Sequence, residues 1–281
     1  MATEPEPELA RALSTPRPFR GAAPGRAVGT LKGLALVIGV KGYKYISPLD
    51  NTLHDAEDFA ELLTTIGFQV LLLMDTTAPD GMVTKNLMKK LRREFLSTLA
   101  GMGPANTVVL FFYAGHGAEY DGMQYLLPQD WGGSEDDVNE LNWQDGKTLV
   151  DEAMCLQETL QQIEDKKPLA TLAFLDCCRE HVEVRGDIFG AGGLSALPGP
   201  AGSLVMYATG KGKLAADGTG SGRNGAFTAA LLKHFAAPGV SLEQMVVNVR
   251  NEVQAKCGED QAPESVNKLN VANHCLVPTV G

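Results

Sequence analysis

Apolar positions along the chain keep two alternating rhythms. Leu34–Val40 is an apolar run broken only by Gly39, which predicts a strand buried on both faces. Residues 52–66 place Leu53, Ala56, Phe59, Ala60, Leu62, Leu63 and Ile66 at helical spacing, with Gly67 as the expected C-terminal cap. The same reading predicts strands at Gln69–Met74, Thr107–Tyr113, Leu169–Leu175 and Leu204–Ala208, with a short strand or hairpin arm at Gln124–Leu127. Helices are predicted at Thr84–Leu99, Asp151–Glu164, Ala226–Phe235 and Leu242–Cys257, and a final strand at His274–Val277. Strands alternating with helices imply an α/β fold: a mainly parallel central β-sheet flanked by helices on both faces. In such sheets chemistry collects at the carboxyl ends of the strands.

The composition narrows the function classes. The chain has 281 residues, 44% hydrophobic and 21% charged, enough to bury a core in one large domain or two small ones. Five of the 15 prolines fall in residues 1–28, which read as a flexible Pro/Ala-rich arm. A net charge of −10 argues against a nucleic-acid partner. No apolar run approaches membrane-spanning length and no signal-peptide core opens the chain, so no membrane association is expected. Five scattered cysteines, with no C-x-x-C pair, fit neither a disulfide framework nor a zinc ribbon, and a cytoplasmic location is the default.

Two predicted strand ends carry chemistry. Phe112-Tyr113-Ala114-Gly115-His116-Gly117 follows the third strand, and Phe174-Leu175-Asp176-Cys177-Cys178-Arg179 follows the fourth. Parallel strands would bring an imidazole and a thiol to the same sheet edge, as nucleophilic thiol catalysis requires. The glycines beside His116 permit close backbone approach, and the Gly117 amide can face a developing oxyanion. Read singly, each residue has a plainer explanation: a loop histidine at the surface and a strand cysteine in the core.

Together the motifs Tyr113–Gly117 and Leu175–Arg179 resemble those of the caspase-like cysteine peptidases, with paracaspases and metacaspases the nearest branches. Asp176–Arg179 matches the Asp-x-Cys-Arg context of paracaspases, and the His-Ser-Gly usual after the metacaspase cysteine is absent. Leu127-Pro128-x-Asp130, Tyr207-Ala208-Thr209 and Asn224-Gly225-x-Phe227-Thr228 add to the likeness, which covers about residues 33–277. The resemblance implies a caspase-like fold over residues 29–281: a large-subunit-like part at 29–185, a connection at 186–202 and a small-subunit-like part at 203–281. It implies Cys178 as nucleophile, His116 as its dyad partner, and the Gly117 and Cys178 amides as oxyanion hole. Cys177 is then a small apolar residue in the variable position.

The resemblance also implies a pocket for a P1 Arg or Lys formed by Asp55, Asp176 and Asp217, and so an endopeptidase acting on protein or peptide substrates with basic P1 residues. Converging carboxylates are costly unless a cation joins them, and a guanidinium offers the forked pairing. The alternatives are a calcium-dependent type I-like metacaspase, and a caspase-fold scaffold or pseudoenzyme acting by protein binding. No cofactor is required by the paracaspase reading. Asp130, Asp151 and Glu152 roughly match metacaspase calcium ligands, but no EF-hand spacing exists and a solvated acidic loop explains the region as well. The resemblance leaves homodimerisation open. Basic sites for self-cleavage are Arg179, Arg185, Lys211, Lys213 and Arg223.

Overall fold

The computed structural model describes residues 31–132, 146–178, 199–209, 222–270 and 276–277, with only the backbone for 146–148 and 178. Strands β1 (Lys32–Gly39), β2 (Phe68–Met74), β3 (Thr107–Tyr120), β6 (Ala170–Cys178), β7 (Ser203–Tyr207) and β8 (Glu264–Asn267) form the sheet in the order β2-β1-β3-β6-β7-β8. All neighbours along this path are parallel except β7 and β8. β4 (Met123–Leu126) and β5 (Met154–Cys155) add an antiparallel extension to the upper part of β3.

The helices are α1 (Thr52–Thr65), α2 (Lys85–Met102), α3 (Gly146–Glu152), α4 (Leu156–Glu164), α5 (Ala226–His234) and α6 (Leu242–Cys257). α1 packs with α5 and α5 with α6, whereas α2 packs with α4. The chain thus has the α/β arrangement expected of it, a mainly parallel sheet with helices packed against it. Among the described residues, no helix is long and apolar enough to cross a membrane.

The apolar runs of β1, β3 and β6 are buried from end to end, which gives the sheet its central core. Phe59 of α1 meets Phe112 of β3 at 4.9 Å, Phe174 of β6 at 6.1 Å and Phe235, just after α5, at 5.3 Å between ring centroids. This aromatic cluster fixes α1 and α5 over the two central strands. Gly39 finishes the seating of α1: a Cβ there would stand 2.6 Å from the Ala56 Cβ and 2.8 Å from the Thr52 carbonyl. The first turn of α1, carrying Asp55, therefore rests directly against the carboxyl end of β1.

Three elements differ from expectation. β3 does not stop at Tyr113 but continues to Tyr120, because Gly117–Tyr120 pairs with Met123–Leu126. Asp121 and Gly122 close that hairpin with φ of 50° and 70°, the two-residue turn whose twist suits paired strands. The helix expected over Asp151–Glu164 is split: Met154 and Cys155 pair with Leu126 and Tyr125, leaving α3 and α4 on either side. Of the expected His274–Val277 strand, Leu276 and Val277 are not in a strand and 274–275 lie outside the described residues; the last strand among the described residues is Glu264–Asn267. Its mixed polar sequence carries no apolar alternation, and its position is fixed by pairing with β7.

Candidate active site

The register of β3 and β6 sets the site. Ala114 pairs with Asp176, Gly115 with Cys177 and His116 with Cys178, at the carboxyl ends of the two central strands. The imidazole and thiol residues therefore occupy adjacent positions on adjacent parallel strands. His116 lies inside β3 and Cys178 ends β6, so the histidine is a strand residue and not the loop residue expected of it; Arg179 lies outside the described residues.

His116 is held on every side. Its side chain is buried, with the residue 4% exposed, and its ring lies 4.6 Å from the Tyr43 ring at a tilt of 56°. Nε2 is 2.9 Å from the Ser47 carbonyl oxygen. A carbonyl can only accept, so Nε2 carries the proton of the neutral ring and Nδ1 is left as the basic nitrogen. The His116 N–H donates to the Tyr43 hydroxyl at 2.7 Å, and the Tyr113 hydroxyl donates toward the His116 carbonyl at 2.8 Å and the Leu127 carbonyl at 2.9 Å. The two hydroxyls are themselves 3.2 Å apart. Burial pushes both phenols well above their ordinary range, so they remain neutral hydrogen-bonding groups. Gly115 leaves room for them: a Cβ would lie 2.5 Å from the Tyr113 hydroxyl and 2.6 Å from that of Tyr43.

The loop that presents Tyr43 and Ser47 has its own anchor. Asp75, just beyond β2, accepts from the Gly42 N–H at 2.8 Å and from the Gln129 side-chain amide at 2.9 Å. The Gln129 amide also donates to the Gly42 carbonyl at 2.9 Å, and its oxygen accepts from the Val83 N–H. Neither Tyr43 nor Gln129 was singled out from sequence, since the contacts that matter join residues far apart in the chain.

The Gly117 amide has a defined direction. The Ala114 carbonyl accepts from the Val40 N–H and the His116 carbonyl from the Leu127 N–H, so both face the β1 and β4 side of β3. Strand alternation turns the Gly117 N–H to the opposite edge, where β6 carries Cys178. Cys177 is 2% exposed and lies in the core near Tyr43 and Tyr113.

Two of the candidate acids converge. Asp55 is 3% exposed and accepts the Gly225 N–H at 3.0 Å. Asp176, half-buried, accepts the Thr228 hydroxyl at 2.6 Å. A Cβ built on Gly225 would stand 3.3 Å from Asp55 Oδ2 and 3.4 Å from Asp176 Oδ2, so one point faces both carboxylates. The N-terminal end of α5 lies at that point, and its dipole favours negative charge there. Asp217, the third expected acid, lies outside the described residues.

The calcium candidates do not assemble in the same way. Among the described residues, no group of three or more His, Cys, Asp or Glu side chains could hold a metal ion. Burial pushes the Asp130 carboxyl up, and Lys85 stands within electrostatic range of Asp130, Asp151 and Glu152. Residues 133–145, with the acidic positions Glu135, Asp136, Asp137 and Glu140, are outside the described residues.

Residues 32–273 match the family model of the caspase domain of the C14 peptidases. The chain belongs to this family. A curated relative, the human mucosa-associated lymphoid tissue lymphoma translocation protein 1, is 28% identical over 147 residues. That match takes in 52% of this chain and 15% of the relative's length. The caspase domain spans both strand-end motifs, the Asp55 helix and the Gly225–Thr228 segment.

Proposed function

We propose that this caspase-domain protein is a cysteine endopeptidase of the paracaspase type, hydrolysing peptide bonds after Arg and, more slowly, after Lys. What carries the reading is one juxtaposition: His116 registered against Cys178, with the Asp55 and Asp176 carboxylates converging beside Gly225. In the proposed reaction His116 Nδ1 takes the Cys178 thiol proton, and the sulfur attacks the P1 carbonyl carbon. The resulting oxyanion accepts hydrogen bonds from the Gly117 and Cys178 amides. Collapse breaks the C–N bond, and His116 returns the proton to the leaving amine. Water, deprotonated by His116, then attacks the thioester. The acid product departs and Cys178 recovers its proton as the thiol. No step calls for a cofactor.

The basic P1 side chain is assigned to Asp55 and Asp176, with Asp217 as a third acid. Fluorogenic peptides ending in Arg, Lys or Asp, offered with and without a calcium chelator, test the proposal. Cleavage after Arg that is lost in Cys178→Ala is the expected result. Preferential cleavage after Asp would assign the pocket to another chemistry, and absence of all turnover would favour a binding role for the fold.

A further inference from the structure

Residues 222–225 lead into α5 and run alongside α1. The Arg223 guanidinium meets the Asp58 carboxylate in a forked arrangement, Nε to Oδ2 at 2.9 Å and a terminal nitrogen to Oδ1 at 2.9 Å. The same terminal nitrogen reaches Glu57 Oε2 at 2.9 Å, and the Asn224 side-chain amide donates to Asp58 Oδ2 at 3.0 Å. Asp58 lies one helical turn after Asp55, on the same face of α1. The next contacts along the segment are those of the acid pair: Gly225 N–H to Asp55, then Thr228 hydroxyl to Asp176. The segment thus closes onto α1 in order, starting at Arg223 and ending at the two carboxylates.

We propose that Arg223 and Asp58 form a latch that positions the Gly225–Thr228 wall, and through it the Asp55 and Asp176 carboxylates, for a basic substrate side chain. The proposal rests on the reading of those two acids as the P1 pocket. An isolated exposed ion pair holds little in place. Here the Asp58 side chain is 20% exposed, it accepts from both Arg223 and Asn224, and the guanidinium is forked, which fixes direction as well as distance. Arg223 and Asp58 are positioning residues, and the bond-making groups of His116 and Cys178 lie on other elements.

The test compares Arg223→Ala, Arg223→Lys, Asp58→Asn and the double variant in the full chain. Arg223→Ala and Asp58→Asn are each expected to raise KM for an Arg peptide roughly tenfold with kcat changed little, the scale of a displaced binding wall. Arg223→Lys, keeping charge without the fork, falls between them and wild type. The double variant is no worse than either single one, as for two halves of one interaction. Alkylation of the catalytic thiol by iodoacetamide keeps its wild-type rate. Hydrogen exchange of the 222–231 segment accelerates in Arg223→Ala. Unchanged KM and unchanged exchange would overturn the latch. So would an alkylation rate that falls along with kcat/KM, because the damage would then be general. If the wild-type chain cuts no basic peptide, the pocket reading fails, and exchange alone decides the latch: faster exchange supports it and unchanged exchange overturns it.

Discussion

The backbone N–H of His116 donates to the phenolic oxygen of Tyr43 at 2.7 Å, across 73 residues of sequence. A strand amide is thereby satisfied by a side chain just past the end of the β1–β3 pairing. With Tyr113 the contact forms a small ring of hydrogen bonds that joins the N–H and the carbonyl of His116.

Tyr43→Phe keeps the ring that packs on the imidazole and removes the hydroxyl that accepts from the His116 N–H and meets the Tyr113 hydroxyl. A buried amide left without its partner costs about 1–3 kcal/mol. The melting temperature should fall accordingly, and kcat should drop more than KM changes, because the base is displaced while the acid pair is untouched. Gly115→Ala should be worse on both counts, since its methyl meets both hydroxyls. Calorimetry and steady-state kinetics on the two variants check this. A Tyr43→Phe enzyme with wild-type kcat would show that the hydroxyl does not hold the base.

The adjacent cysteines should separate cleanly. Cys178→Ala is expected to abolish turnover, as removal of one member of a catalytic unit does. Cys177 is buried in the core, so Cys177→Ala should cost about 1 kcal/mol of stability through lost packing and retain most activity. Mass spectrometry after iodoacetamide should find the activity-linked label on Cys178. The reverse pattern, a dead Cys177→Ala and an active Cys178→Ala, would exchange the two roles.

The Arg223 latch has a pH signature. Partial burial works against the Asp58 charge, but hydrogen bonds from Arg223 and Asn224 outweigh it and hold the carboxyl below its ordinary range. A carboxyl depressed in the folded state lends stability above its unfolded pKa and loses it as pH falls through the folded one. The wild-type chain should therefore lose stability relative to Asp58→Asn between the ordinary Asp range, near pH ~4, and lower pH. Denaturant titrations of both proteins from neutral to acid pH measure the difference. Parallel curves would mean that Asp58 is not held by Arg223 in solution.

The legible parts of the molecule are those that burial alone determines. The buried strands of the sheet and the apolar faces of α1, α2 and α6 follow from spacing, because each buries its own apolar residues. The Gly117–Tyr120 end of β3 was not legible, because its strand form depends on a partner, β4, and on the Asp121-Gly122 turn. Met154 and Cys155 fit the helical pattern and were captured by β4 instead. At the site, the His116 and Cys178 motifs were visible as short sequences next to apolar runs. Tyr43 and Gln129 were not singled out, since nothing in their local spacing distinguishes them from ordinary loop residues; Thr228 was noted only within the Asn224–Thr228 motif and Arg223 only as a basic site for self-cleavage, because their contacts with Asp176 and Asp58 join distant parts of the chain.

The sharpest consequence of the converging acids is the P1 preference. Asp55 and Asp176 face one point beside Gly225, and Asp176 stands two residues before Cys178 on β6. An Arg side chain brings a delocalised charge and a planar set of donors that suit two carboxylates, whereas a Lys ammonium brings a compact charge without the fork. Removing one charged partner from a buried pair costs a few kcal/mol, on the order of a hundredfold or more in kcat/KM. Asp55→Ala and Asp176→Ala should each lose that much against Arg peptides. The loss against Lys peptides should be smaller in ratio, since less is gained there at the outset. Thr228→Val, which keeps the shape of the side chain and deletes the 2.6 Å hydrogen bond to Asp176, should reproduce part of the Asp176→Ala loss while leaving iodoacetamide reactivity intact. Asp peptides should stay uncut by every variant that retains either acid, because a P1 carboxylate would meet like charge. Undiminished Arg cleavage by both single alanine variants, with folded protein confirmed by circular dichroism, would remove these acids from the pocket.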